Sequence, residues 1–456
     1  MPALRQFHNV PGPFMKTADP GRQFILSTIS ITIGGFLLRA LLLPSQPVSF
    51  DDFEVAVSAV NYMESGQLGP TMWNHPVLRN ILVYFAMKLF GTGVLGVKGT
   101  SLLLGTLCIP LVALVARRIF DDGKTALLAA SLWALDPLAI DFSRQAINDI
   151  YLAFFPLAGI YLVYRFRDKG NSAWLLGSGV LFGFGLASKW SAVFPLAVTL
   201  GLLIAAIRKE TKGRKGERYA RAAHVSAMLV VLPLLVYILT FIPWFGRGYS
   251  LSEWPALQRS MFMETSQHTG YKPDAMVDRD IRAYEWFIRP VTFRDMFFNM
   301  DNDEQGRLSA ENNVTILLAV SNPLVWLLVL PAALYLAHRG VRERKEGHCF
   351  LAALFLLSYI PLVVARRPIW LNTALSVLPF ALMAVAYFVW TVASRFRRRH
   401  AVVTAYLVLV LAVSLPLYLL VIGKGTKLPV IREYLRDRYL HQKGTPSVDG
   451  LVRPQK

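Results

Sequence analysis

The sequence predicts an all-α polytopic membrane protein with about eleven transmembrane helices. Three observations carry that prediction. The chain is 54% hydrophobic and only 17% charged over 456 residues, where a soluble domain would be about 25% charged. Its mean hydropathy is +0.43, and apolar runs of bilayer-crossing length recur from residue 24 to residue 422. The basic residues gather in alternate short loops, which is the pattern of a chain threaded repeatedly through a bilayer.

The spans are read near 24–43, 96–117, 124–141, 148–165, 173–189, 191–207, 224–244, 316–338, 349–365, 369–393 and 401–422. Most have the ~17–25 residues a bilayer requires. The stretch 173–207 is continuously apolar except for Lys189-Trp190-Ser191, and is read as two short spans joined by a tight turn. Residues 1–23 are polar and form a cytoplasmic N-terminus with no cleavable signal peptide evident. The transmembrane domain covers 24–422, with outer loops at 44–95 and 245–315, and 423–456 form an extracytoplasmic tail.

Charge placement supports this threading. With the N-terminus inside, the inner loops 1–23, 118–123, 166–172, 208–223, 339–348 and 394–400, with Arg117, Lys124 and Arg165 at span ends, hold about half of the 48 Lys and Arg. The outer loops are long and contain acids. The net charge of +19 is therefore an orientation and lipid-surface signal, and nucleic acid is excluded as a partner. Cys108 and Cys349 lie in apolar runs and form neither a disulfide framework nor a zinc motif.

Both outer loops are too long to be simple connectors. In the first, Asp52 to Ser65 is amphipathic, with Phe53, Val57, Val60 and Met63 at helical spacing, and Ile81 to Phe90 is apolar but too short to span. Both are read as helices lying at the interface. The second, rich in aromatics such as Trp254, Tyr271, Tyr284, Trp286 and Phe287, would sit over the outer mouth of the bundle.

Ionisable residues collect at the same mouth. Asp51 and Asp52 stand together where the chain leaves the first span, followed by His75-Pro76-Val77-Leu78. An acidic helix cap explains one acid but not two; the other reading is a general base or a cation ligand. Arg144 and Asp149 lie at the outer ends of the third and fourth spans, and Lys98, Lys189 and Arg366-Arg367 also fall at outer ends. Snorkelling accounts for any one of these cations, whereas the set suits an anionic group such as a phosphate.

Other motifs fail in context. Gly91-Thr92-Gly93-Val94-Leu95-Gly96 matches GxGxxG but follows no strand. Asp301-Asn302-Asp303 resembles a nucleotide-sugar motif, yet it lies in the outer loop away from cytosolic nucleotides. His75 and His268 are too far apart in sequence to define a metal site, and Asn313-Val314-Thr315 is a sequon common by chance.

With these residues in place, the chain resembles the protein O-mannosyltransferase family, polyprenyl-phosphate-sugar-dependent glycosyltransferases of the GT-C superfamily. Asp51-Asp52 stands where the family has an Asp-Glu pair, and His75-Pro76-Val77-Leu78 stands for a His-Pro-Pro-Leu run. Ala129 to Asp149, Gly183 to Ser191, Ser321 to Trp326 and Arg366 to Phe380 resemble later blocks, so the likeness covers roughly 45–390. The chain departs from the pattern in having Asp52 rather than Glu and Lys98 where an arginine is expected. The Asn372-Thr373 region also lacks an aromatic-His-aromatic cluster. Related aminoarabinose transferases, which modify lipid A, share the early acid and the later Asp.

The resemblance implies a GT-C bundle taking a polyprenyl-phosphate-linked sugar, mannose or another hexose, as donor and a protein or glycolipid as acceptor. It implies action at the outer face of a prokaryotic plasma membrane. The phosphate leaving group is already anionic, so the chemistry needs a base and positive charge rather than an acid. Asp51 is expected as base with Asp52 beside it, Lys98, Arg144, Lys189 and Arg366 as phosphate contacts, and Asp149 and His75 as groups orienting the sugar or a cation. One displacement would invert the anomeric carbon. A divalent cation stays open as a cofactor. A lipid-A-type transferase and a lipid-linked sugar transporter are the rival readings. The transporter would be expected to show repeated halves, and the sequence has none.

Overall fold

The structure, a computed structural model, describes residues 20–45, 49–68, 75–267, 283–289, 297–300, 313–317, 320–365, 369, 371–422 and 426–427. Helix α1 (Pro20–Ala40) is followed by α2 (Phe50–Ser65) and α3 (Leu78–Phe90), then by α4 (Val94–Phe120), α5 (Gly123–Leu135), α6 (Pro137–Phe142), α7 (Asn148–Lys169), α8 (Ser172–Ser188) and α9 (Val193–Glu210). The second half continues with α10 (Lys215–Ser226), a π-helical turn Ala227–Val231, α11 (Leu232–Leu239), α12 (Ile242–Phe245) and α13 (Trp254–Gln267). It ends with α14 (Pro323–Trp326), α15 (Val329–Glu343), α16 (Glu346–Val364), α17 (Leu378–Ala393) and α18 (Arg399–Val421). Strands β1 (Phe297–Met300), β2 (Asn313–Leu317) and β3 (Thr426–Lys427) form a small antiparallel ribbon in that order.

Among the described residues, eight helical segments are long and apolar enough to cross a bilayer, and three shorter apolar helices, α5, α8 and α17, join them. Together these match the eleven expected spans. Several spans differ in detail: the seventh starts earlier, at Lys215, and the one expected from 316 becomes helical only at Pro323, because β2 occupies Asn313–Leu317. The third is broken between α5 and α6, because Asp136 caps α6 through Ala139 N at 3.0 Å and Pro137 opens it. The span expected from 369 becomes helical only at Leu378; before it, a 3₁₀ turn over Leu371–Ser376 carries polar side chains inward. The turn expected at 189–191 is present, where Trp190–Ala192 is a 3₁₀ turn between α8 and α9.

The large side chains of α1 and α18 face outward: Ile25, Leu26, Ile29, Ile33 and Leu37 on one, Val408, Leu409, Leu415 and Leu419 on the other. Such surface is suited to lipid rather than water. The shorter α2 and α3 also turn apolar residues outward, with Phe53 63% and Leu89 75% exposed, as expected of interfacial helices. Their opposite faces pack together with the bundle: Val55, Ala59, Val83, Val97 and Ala146 form one buried cluster.

Close helix contacts rest on small residues, as is usual inside a bilayer. A Cβ on Gly179 of α8 would lie 2.1 Å from the Met228 carbonyl. Within the discounted Gly-rich motif, Gly91 ends α3 with φ of 80°, and a Cβ on Gly96 would lie 1.8 Å from the Gly91 carbonyl. That motif is a tight corner between α3 and α4. At the end of the bundle holding the basic loops, Arg118 pairs with Asp168 at 2.8 Å and Arg167 with Glu346 at 2.5 Å. The acidic cluster lies at the other end.

Candidate active site

Ser49 caps α2, and Asp52 is the third residue of its first turn. Ser49 Oγ accepts from Asp52 N at 3.1 Å, and Asp52 Oδ2 accepts from Ser49 N at 2.9 Å. This is a reciprocal capping box. The same carboxylate accepts from Ala146 N at 2.7 Å and pairs with Lys98 Nζ at 3.0 Å, with Asp52 0% and Lys98 1% exposed. Sequence placed Asp52 beside Asp51 in the chemistry and Lys98 on the donor phosphate. The structure pairs the two with each other, and the two charges offset the desolvation that either would suffer alone.

Asp51 is the member of the acidic pair that keeps solvent access, being only partly buried. Burial pushes its carboxyl above the ordinary value, the Arg79 guanidinium opposes that rise, and Glu54, Asp52 and Asp149 add to it. A carboxylate shifted upward by desolvation is a stronger base once ionised.

The second centre forms at the start of α7. Lys189 Nζ, at the break between α8 and α9, lies 2.6 Å from Asp149 Oδ1 and donates to Thr373 Oγ1 at 3.2 Å. Asn372 Nδ2 donates to Asp149 Oδ2 at 3.0 Å. The 3₁₀ turn before α17 thus completes this site.

Arg144 is fully buried. Its Nη1 donates to the carbonyls of Arg39 and Leu41, each at 2.7 Å, and so caps the end of α1. Its Nε and Nη2 have no partner among the described residues. His75 is half-buried in the turn leading to α3. Arg366 and His268 lie outside the described residues.

A family model described as dolichyl-phosphate-mannose-protein mannosyltransferase matches residues 74–237. The polyprenol-phosphate-mannose–protein mannosyltransferase of Mycobacterium tuberculosis is 24% identical over 437 residues, covering 82% of this chain and 83% of that protein. Among solved structures, the chain is similar to the Saccharomyces cerevisiae protein O-mannosyltransferase Pmt1-Pmt2 complex bound to the sugar donor. The TM-score is 0.63 at 13% identity, over 96% of this chain and 94% of that one. This chain is a membrane glycosyltransferase with the fold of that complex's chain. It is also similar to the Archaeoglobus fulgidus oligosaccharyltransferase, with a TM-score of 0.54 at 14% identity over 93% of this chain, but it spans only 59% of that protein's length.

Three features of this glycosyltransferase carried little signal in the sequence. Arg79, directly after His75-Pro76-Val77-Leu78, is 3% exposed and donates from Nη1 to Ala146 O at 2.8 Å. Burial lowers its proton affinity, while Asp51, Tyr151, Glu54 and Asp149 raise it. An arginine opening an apolar run was the available signal. Arg39, taken as part of the first span, is buried and donates to Ser143 Oγ at 3.1 Å and to the Gly35, Ala134 and Trp133 carbonyls. Asn372 and Thr373 carried no signal of their own, since their partners lie far away in sequence. Among the described residues, no three His, Cys, Asp or Glu side chains form a ligand set for a metal ion.

Proposed function

We propose that this membrane glycosyltransferase moves a hexose, mannose in the simplest case, from a polyprenyl-phosphate carrier to a hydroxyl of a protein acceptor at the outer face of the membrane. Asp51 is the general base. The acceptor oxygen attacks the anomeric carbon, its proton passes to the Asp51 carboxylate, and the bond from the anomeric carbon to the phosphate oxygen breaks. Polyprenyl phosphate leaves with the electron pair, and a single displacement inverts the anomeric centre. Lys189, oriented by Asp149 and Thr373, faces the charge that grows on the leaving phosphate.

The observation that carries this reading is the unequal fate of the two adjacent acids: the Asp52 carboxylate is consumed by three partners, and Asp51 is left partly open beside a buried guanidinium. The polyprenol-phosphate-mannose donor and protein acceptor of the mycobacterial relative support this choice of donor and acceptor. The placement of the basic loops at the opposite end supports the outer-face orientation.

Asp51→Asn is expected to abolish transfer from a labelled polyprenyl-phosphate mannose to Ser- or Thr-containing peptide while leaving the protein folded and inserted. Turnover near that of the unaltered protein in this variant would refute the assignment. Labelled glycolipid in place of labelled peptide would move the acceptor to the lipid branch.

A further inference from the structure

Two buried amide side chains at the acidic end of the bundle have no hydrogen-bond partner among the described residues. Asn80, on α3, is 1% exposed, and Asn148, the first residue of α7, is 2% exposed; in each, both the side-chain nitrogen and oxygen are unsatisfied. Buried polar atoms are ordinarily paired, so a fully orphaned amide is an exception that calls for a function. Asn372 Oδ1 is orphaned as well, while its nitrogen already holds Asp149.

Their positions connect them. Asn80 adjoins Arg79, which holds the Ala146 carbonyl, and Asn148 follows Ala146 by two residues. Asn80 also lies one turn before Val83, on the helix face that packs against Val97 and Ala146. Asn148 immediately precedes Asp149, the carboxylate paired with Lys189. Both amides therefore lie at the same end of the bundle as the Asp51 and Lys189 centres, on the elements that carry Arg79 and Asp149.

An amide presents two donors and an acceptor. A sugar hydroxyl presents a donor and two acceptors, and neighbouring hydroxyls on a pyranose ring need such mixed partners. A phosphate, by contrast, offers only acceptors and would leave the amide oxygens unsatisfied.

We propose that Asn80 and Asn148 read the hydroxyls of the donor sugar and so set which hexose this chain transfers, an inference that rests on the glycosyl-transfer reading above. Neither residue takes part in bond making. Each fixes the ring so that its anomeric carbon faces the acceptor held by Asp51.

The test compares polyprenyl-phosphate mannose with monodeoxy analogues that each lack one ring hydroxyl, using full-length protein in detergent or liposomes. The unaltered protein is expected to prefer the parent donor over at least one analogue by about tenfold or more in kcat/KM, because a site built to bind a hydroxyl rejects a donor that lacks it. Asn80→Ala and Asn148→Ala should each bring one such ratio close to unity, with loss for the parent donor and little loss for the matching analogue. The same donors are titrated onto Asp51→Asn, with and without each alanine substitution, to read binding without turnover. Ratios unchanged from those of the unaltered protein, with transfer intact, would overturn the role of the two asparagines and leave the transferase reading standing. Absence of transfer from every such donor by the unaltered protein would overturn both.

Discussion

Removing Lys98 should damage the fold before it damages chemistry. Asp52 accepts from Lys98 Nζ at 3.0 Å, from Ser49 N at 2.9 Å and from Ala146 N at 2.7 Å, with neither charged side chain open to solvent. In Lys98→Met the carboxylate keeps its two backbone donors but loses the Lys98 ammonium. Breaking a buried pair by deleting one partner costs ~3–5 kcal/mol, since the remaining charge stays desolvated. At about 1.4 kcal/mol per tenfold, that is roughly two to four orders of magnitude in the folding constant. Neutralising both, as Asp52→Asn with Lys98→Met, retains an acceptor for Ala146 N and sacrifices about one hydrogen bond, worth ~1 kcal/mol. The double variant should therefore be the more stable of the two by at least ~2 kcal/mol. Denaturant titration of the purified protein in micelles measures both. A Lys98→Met protein as stable as the unaltered one, but weakened in donor binding, would refute this argument and return Lys98 to the phosphate.

Other outcomes follow from the same geometry. Arg79 lowers the proton affinity of Asp51 against the effect of burial. Arg79→Met should therefore move the acid limb of the kcat/KM profile to higher pH if the proposed base is Asp51, since a carboxylate base works only when ionised; an unmoved limb would separate Arg79 from Asp51. Lys189→Met should reduce kcat by about 10²–10³-fold, as for loss of one transition-state charge donor, with Lys189→Arg recovering part of it in a single-turnover assay. Gly179→Ala forces a Cβ toward the Met228 carbonyl, 2.1 Å away, and should cost ~1–3 kcal/mol of stability by overpacking. Trp326→Phe removes the 2.8 Å bond from Nε1 to the Asp136 carboxylate and should destabilise by ~1–3 kcal/mol, visible in the same titration.

The spans were legible because a bilayer demands long apolar runs, and even the interruption at Lys189-Trp190-Ser191 left a mark in the pattern. The break at Asp136-Pro137 was equally visible as a cap followed by a proline, but a continuous apolar count ran across it. Site residues divide differently. Asp51, Asp149 and Lys189 stood out as charges at the mouth, and the structure gathers the last two within 2.6 Å. Asp52 and Lys98 looked the same in sequence, yet their meeting depends on α2 docking against α4, which no local periodicity encodes. Asn372 joins Asp149 across 223 residues, and its neighbourhood was noticed only for lacking an aromatic cluster. Arg79 and Asn80 stand just beyond the His-Pro motif, and the Ala146 carbonyl that Arg79 holds lies 67 residues away in sequence.

One residue has a reach beyond its size. The Ala146 backbone is held at its N–H by Asp52 of α2 and at its carbonyl by Arg79 of α3, while those two helices leave Phe53, Phe85, Leu89 and Phe90 exposed. The first turn of α7, with Asn148 and Asp149, is thereby hung from two floats resting on the bilayer surface. Lipid thickness and headgroup packing then become mechanical inputs to the spacing between Asp51 and Asp149. Activity measured in micelles and in bilayers of different depth reports on that lever as much as on the chemistry.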